Sequence, residues 1–297
     1  MAYKGSFVAM ITPFRNGEID EPKVRELVDF LIAGGTNGLV PVGTTGEAAT
    51  MTEEEQFRVV EIVVDQARGR VPVVAGSGTN DTAKTIKYTK HAKALGADGA
   101  LIVTPYYNKP TPEGVYQHFR AIAEAVDLPL VLYNVPSRTG SNVLPETVVR
   151  IAREIPSVVA VKEASGSIDQ SSQIVIGAGP DFDVLSGDDS LTLPIMSVGG
   201  KGVISVLGNI APKPVAEMCA AFLGGDAKRA QEIHARTFNL VKALFLETNP
   251  IPVKTAAAML GLCSDELRLP LWAMGEANKK KLAAALAECP YTQPVAV

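Results

Sequence analysis

At 297 residues, with 46% hydrophobic and 20% charged residues, the chain can bury a large core and has the balance of an ordinary soluble enzyme. A formal charge of −4 gives no basic patch, which excludes nucleic acid as an expected partner. The three cysteines, Cys219, Cys263 and Cys289, are too spread for a disulfide framework or a metal site and point to a reducing, cytoplasmic setting. The longest uncharged run, Phe30 to Gly46, is broken by glycines, threonines and a proline, so no membrane span is expected. The N-terminus also lacks the basic-then-apolar pattern of a leader.

A short apolar strand, a polar or glycine-rich stretch and an amphipathic helix recur along the chain. Strands are predicted near Phe7–Pro13, Gly38–Gly43, Val71–Gly76, Ala100–Thr104, Leu130–Tyr133, Val158–Lys162, Asp183–Ser186 and Gly202–Leu207. Helical patterns between them include Glu21–Ala33, Glu53–Ala67, Asp81–Leu95, Pro112–Val126 and Pro145–Glu154. Thr52 marks one helix start, and Pro112 and Pro145 fall in first turns. Between 166 and 200 the helical pattern is weak, because Gly177 and Gly179 interrupt it. Eight strands alternating with helices predict an α/β fold, a (β/α)8 TIM barrel. A doubly wound open sheet is disfavoured, since no Gly-x-Gly-x-x-Gly follows the first strand. From about Gly225 the strands stop, and Asp226–Glu247, Pro252–Leu260 and Gly275–Ala287 read as helices. The expected division is a catalytic barrel over residues 1–224 and a helical appendage over 225–297, with a packing or subunit-contact role.

A barrel places its active site at the C-terminal ends of its strands and in the loops that follow. Applied as a filter, this register selects Thr44-Thr45, Ser77, Thr104 to Tyr107, Tyr133 to Arg138, Lys162, Gly187 to Asp189, and Ser205 to Asn209. Lys162 closes the apolar strand Val158-Val159-Ala160-Val161. A lysine turned into a barrel loses hydration, its pKa falls, and the neutral amine can form a Schiff base with a ketone. The bland alternative is a lysine that turns to solvent where its strand runs out. Tyr133 ends the preceding strand and should face Lys162, so it is the best proton shuttle, although a tyrosine there can also be packing. Its phenol is expected to be acidified by a cationic iminium. His91, His118 and His234 all fall within helices, away from the strand ends.

In Val42-Gly43-Thr44-Thr45-Gly46-Glu47, two glycines let the backbone turn so that N–H groups converge on an anion. No P-loop lysine follows, so a carboxylate suits the turn better than a phosphate chain, if the turn is more than a turn. Arg138 could clasp a carboxylate through a guanidinium fork or stand solvated in its loop. Gly199-Gly200-Lys201-Gly202 precedes its strand and reads as a helix-to-strand connection on the opposite face. Asp188-Asp189 lacks an evident third metal ligand, and the pair reads as the end of a strand and the cap of the next helix.

Taken together, these segments resemble the dihydrodipicolinate synthase family, among the pyruvate-dependent aldolases that include N-acetylneuraminate lyase. Matching segments are Gly5-Ser6-Phe7-Val8-Ala9, Val42 to Glu47, Thr104-Pro105-Tyr106-Tyr107-Asn108, Tyr133 to Gly140 and Val161-Lys162-Glu163-Ala164. Leu185 to Asp189, Gly202 to Val206 and Asn249-Pro250-Ile251-Pro252-Val253-Lys254 complete the set, so the resemblance spans essentially the whole chain. It implies that Lys162 forms the imine with pyruvate. Tyr133, Thr44 and a Tyr107 reaching in from a neighbouring subunit would relay protons. Thr45, helped by the Thr44 backbone, would bind the pyruvate carboxylate, and Arg138 the carboxylate of L-aspartate 4-semialdehyde. The carbonyls of Gly187 and Ile204 would lie close to bound pyruvate. No metal or organic cofactor is implied. The expected assembly is a homotetramer, a dimer of dimers, and the expected pathway is lysine and diaminopimelate biosynthesis. The close alternative is a sialic acid or keto-deoxy sugar acid lyase, and Thr44 and Arg138 argue against it. A barrel kept only for binding would be expected to lose its lysine or tyrosine.

Members inhibited by lysine hold the inhibitor at positions matching Ala48, Ala49, Glu53, Gln56, Asn80, Lys84 and Tyr106. Here Asn80 and Tyr106 are kept, but a lysine, Lys84, stands where the sensitive pattern has glutamate, which predicts weak or absent feedback.

Overall fold

The computed structural model of the chain describes residues 3–292. Eight parallel strands run as β1 Gly5–Ala9, β2 Gly38–Val40, β3 Val74–Gly76, β4 Gly99–Val103, β5 Leu130–Asn134, β6 Val158–Glu163, β7 Asp183–Ser186 and β8 Gly202–Ser205. They pair in the order β2-β1-β8-β7-β6-β5-β4-β3. The seam between β2 and β3 is joined by a parallel bridge, Leu39 to Val73, and by a 2.9 Å bond from the Gly76 N–H to the Pro41 carbonyl. The sheet is thus a barrel, and the predicted fold class holds.

Helices α1 Glu21–Ala33, α2 Glu53–Ala67, α3 Thr82–Ala94 and α4 Pro112–Ala125 fall where the sequence pattern places them. So does α6 Pro145–Glu154, which follows a short turn of helix, α5 Pro136–Thr139. The start of α2 is fixed by a capping box, in which Thr52 accepts from the Glu55 N–H and Glu55 accepts from the Thr52 N–H. Around the barrel follow α7 Ile168–Ala178, α8 Thr192–Ser197 and α9 Pro212–Leu223. Helix α7 corrects the weak reading of residues 166–200. Gly177 does not break it, because a Cβ there would stand 2.6 Å from Val149 Cγ2, so the missing side chain lets α6 approach. Gly179, at φ 88°, is what ends the helix.

Side chains alternate along the strands, with one irregularity between Val158 and Ala160 on β6, and that alternation places the chemistry. Leu130, Leu132, Val158 and Val161 face outward onto α4, α6 and α7. Val131, Tyr133, Ala160, Leu185 and Ile204 face inward with Phe7, Val40, Val74 and Leu101. Lys162 keeps the phase of Ala160 and therefore points into the barrel.

The C-terminal region is helical, as expected, with α10 Ala227–Ala243, α11 Ile251–Met259 and α12 Glu276–Glu288. Ile233, Leu240, Val253 and Leu282 from these helices join one apolar cluster with Val28 and Leu31 of α1 and Val63 of α2. Among the described residues no helix is long and apolar enough to cross a membrane.

Candidate active site

Lys162 and Tyr133 are register partners on β6 and β5. Both are buried, at 5% and 7% exposure, and the lysine Nζ stands 4.2 Å from the centre of the tyrosine ring. Burial lowers the Lys162 pKa to about 7; the Asp189 charge opposes that fall and the Arg138 charge adds to it. An appreciable fraction of the amine is therefore neutral near pH 7, as a Schiff-base nucleophile requires. In the free chain the Tyr133 pKa is pushed up to about 12 by burial, against the pull of the Arg138 charge and the Thr44 side chain. The phenol is thus a proton donor at neutral pH, and a proton acceptor only after losing that proton.

The turn after β2 is held by the Gly46 and Glu47 N–H groups, which donate to the Gly43 and Thr44 carbonyls, each at 3.1 Å. Thr12 Oγ1 donates to the Gly46 carbonyl at 2.7 Å. Among the described residues the N–H groups of Thr44 and Thr45 have no hydrogen-bond partner, so two adjacent donors stand ready for an anion. Val42 enters the turn at φ 55°, a conformation that a β-branched residue adopts only when its surroundings impose it. The neighbouring strand makes room for it, since a Cβ on Gly76 would lie 2.2 Å from the Val42 carbonyl oxygen.

A cavity of about 660 Å³ is lined by Thr44, Thr45, Tyr133 and Lys162 and also by Ala48, Ala49, Glu53, Gln56, Lys84 and Tyr106. Gly187 borders Lys162, because a Cβ added there would meet Ala164 Cβ at 2.6 Å and Lys162 Cε at 3.3 Å. Ile204 packs in the inner cluster with Tyr133 and Leu185. Arg138, on α5, is exposed, and its guanidinium donates to the Asn249 carbonyl at 3.0 Å. Tyr107 is not brought into the cavity of its own chain; it is 90% exposed, at φ 71°. Asn80 lies outside the lining, and its carbonyl accepts from Asn108 Nδ2 at 2.8 Å. In the predicted inhibitor region Glu53 is paired with Lys87, and Gln56 Nε2 donates to the carbonyls of Ala48 and Met51.

Several participants escape a reading of the sequence. Asp188 does cap, accepting from the Ser190 N–H at 2.9 Å, but Asp189 is a buried carboxylate with another task. It accepts from Ser205 Oγ at 2.5 Å and from the Val206 and Leu207 N–H groups at 2.9 and 3.0 Å. Burial raises its pKa while those three bonds favour its charge. Beside Lys162 on the outer face, Glu163 accepts from Asn134 Nδ2, Gln170 Nε2 and the Ser165 N–H. This ties together the residues that follow Tyr133 and Lys162. Lys254 of α11 meets Glu47 of the turn at 2.7 Å, with neither side chain exposed. Burial lowers the Lys254 pKa, and Glu47 works against that fall. A lone charged residue in the helix Ile251–Met259 is the one local sign of this pair. Gly199 to Gly202 forms the predicted connection into β8, with the Lys201 N–H donating to the Val184 carbonyl at 2.8 Å.

Comparison with known proteins agrees with this geometry. The model of the dihydrodipicolinate synthetase family matches residues 2–289. A 4-hydroxy-tetrahydrodipicolinate synthase from Thermomicrobium roseum is 57% identical over 97% of this chain and 95% of its own length. One from Geotalea uraniireducens is 56% identical over 96% of this chain and 98% of its own. The crystal structure of dihydrodipicolinate synthase from Aquifex aeolicus superposes with a TM-score of 0.96 at 48% identity, covering 99% of this chain and all of that one. With a buried lysine, its neighbouring tyrosine and the threonine turn in place and similarity along almost its full length, this chain belongs to the dihydrodipicolinate synthetase family.

Proposed function

We propose that the chain condenses pyruvate with L-aspartate 4-semialdehyde to give 4-hydroxy-tetrahydrodipicolinate, as a class I aldolase working through a Schiff base on Lys162. One observation carries the reading: an amine with a pKa near 7 inside the barrel, 4.2 Å from the centre of the Tyr133 ring and lining one cavity with Thr44. The curated relatives, more than half identical over nearly the whole chain, support this activity above cleavage of a sugar acid.

Pyruvate enters with its carboxylate against the Thr44 and Thr45 N–H groups and the Thr45 hydroxyl. The neutral amine of Lys162 attacks the keto carbon, and Tyr133 supplies the proton with which the hydroxyl leaves as water. The iminium withdraws electrons from the methyl group, which loses a proton to the Tyr133–Thr44 pair and becomes an enamine. That carbon attacks the aldehyde, whose own carboxylate is held by Arg138, and the aldehyde oxygen takes up the proton that the Tyr133–Thr44 pair removed from the methyl group. The amine of the added substrate then attacks the iminium carbon, closes the ring and expels Lys162.

Tyr107 completes the proton relay in the site of a second copy, within a homotetramer formed as a dimer of dimers in the cytoplasm. Its exposure on a loop supports that assignment. Turnover assayed with pyruvate plus aspartate semialdehyde, and separately with N-acetylneuraminate, tests the function. Ring formation only with the first pair is expected, whereas release of pyruvate from the sugar acid in its place overturns the reading.

A further inference from the structure

Asn249, two residues before α11, is 7% exposed and holds two site residues at once. Its side-chain Nδ2 donates to Thr45 Oγ1 at 2.9 Å, and its backbone carbonyl accepts from Arg138 at 3.0 Å. A threonine hydroxyl has one hydrogen to give and two lone pairs to receive. An amide N–H on one lone pair turns the hydrogen away from Asn249, and Thr45 Oγ1 has no other partner among the described residues. Thr44 and Thr45 both line the cavity, and their backbone N–H groups are unpartnered among the described residues.

We propose that Asn249 is a positioning residue for the pyruvate carboxylate: its amide fixes the Thr45 hydroxyl as a donor aimed at the anion. The proposal rests on the reading that Thr45 receives that carboxylate. The arrangement is anchored at both ends. Lys254, one turn further along the same segment, is locked to Glu47 at 2.7 Å, and Glu47 belongs to the same turn as Thr45. Glu47 also accepts from the Arg268 N–H at 3.1 Å, so the turn and the C-terminal segment keep a fixed spacing. Asn249 Oδ1 is buried without a partner, so among the described residues the one hydrogen bond of this side chain is the one its Nδ2 gives to Thr45. Aspartate at this position reverses the polarity, because its carboxylate takes the Thr45 hydrogen and repels the substrate anion.

Steady-state kinetics of Asn249→Ala, Asn249→Asp, Thr45→Val and the Asn249→Ala/Thr45→Val double variant test the idea. Asn249→Ala is expected to raise the pyruvate KM roughly five- to tenfold, while kcat and the aldehyde KM move less than about twofold. Asn249→Asp raises the pyruvate KM further. In the Thr45→Val background the alanine substitution adds less than about twofold, since its route of action is already gone. Full borohydride labelling at saturating pyruvate shows that each variant is folded. Equal, multiplying effects of Asn249→Ala in both backgrounds, or equal rises in both KM values, overturn the role of Asn249. A Thr45→Val variant with an unchanged pyruvate KM overturns instead the carboxylate reading on which the proposal rests.

Discussion

Lys162 Nζ lies 4.2 Å above the centre of the Tyr133 ring, the two residues closing neighbouring strands in direct register. Burial lowers the lysine pKa to about 7, against the charge of Asp189. The rate of borohydride-dependent labelling by pyruvate is therefore expected to climb between pH 6 and 8 and then level off. Lys162→Ala should abolish the label. A rate that keeps rising tenfold per pH unit at pH 9, or an adduct on Lys201 or Lys254, refutes the assignment. The sign for stability follows from the same shift. The folded pKa lies below the unfolded value, so the chain bears the full cost of the buried amine below pH 7, and that cost shrinks as pH rises toward 10.5. Lys162→Met is expected to resist urea better than the parent at pH 6 by on the order of a few kcal/mol, with the margin closing by pH 10.

Arg138→Ala should raise the Michaelis constant for the aldehyde far more than that for pyruvate. Losing a charged hydrogen-bond partner costs about 1.5–3 kcal/mol, roughly ten- to a hundredfold. Equal losses for both substrates would falsify its role in binding the aldehyde.

Tyr107 stands away from the cavity of its own chain. Mixing inactive Tyr107→Phe chains with inactive Lys162→Ala chains is expected to restore part of the activity, because some hybrid sites combine an intact lysine with an intact tyrosine. Verified hybrids that stay inactive count against a shared site.

Feedback by L-lysine is expected to be weak. Lys84 brings a like charge toward the ligand's ammonium, and Glu53, the carboxylate that could offset it, is already engaged by Lys87. Initial rates measured against rising L-lysine decide the matter. Half-inhibition below about a millimolar, where only about 4 kcal/mol of binding is needed, shows an intact site.

Lys254→Met leaves the Glu47 carboxylate buried without its cation, a change that costs about 3–5 kcal/mol of folding stability. Pairing it with Glu47→Gln should recover much of that loss. Urea melts of the two single variants and the double variant provide the measurement, and a Lys254→Met chain as stable as the parent rules the idea out.

What could be read from the chain beforehand divides by sequence distance. The strands show themselves because their apolar runs are local, and Lys162 shows itself because its strand closes on a charge in the inward phase. Helix α7 was obscured because Gly177 weakens a helix locally while its value lies in the approach of Val149 on another helix. The links from Asn249 to Thr45 and from Lys254 to Glu47 join residues 204 and 207 positions apart. No periodicity or motif spacing in a single sequence reports such pairs. Asp189 was obscured for a related reason, since its donors lie 16 to 18 residues downstream on the next strand and turn.

The Glu47–Lys254 contact also bears on how the molecule comes into being. A ribosome delivers all eight strands, and the whole threonine turn, before residues 249 and 254 emerge. A nascent chain at that point holds every strand of the barrel but has its turn glutamate still without a countercharge and its Thr45 hydroxyl still unheld. Competence for pyruvate is therefore expected to arrive with the last fifty or so residues and not with the catalytic lysine. Tethered chains of increasing length, probed for imine trapping, should stay silent until α11 has cleared the exit tunnel.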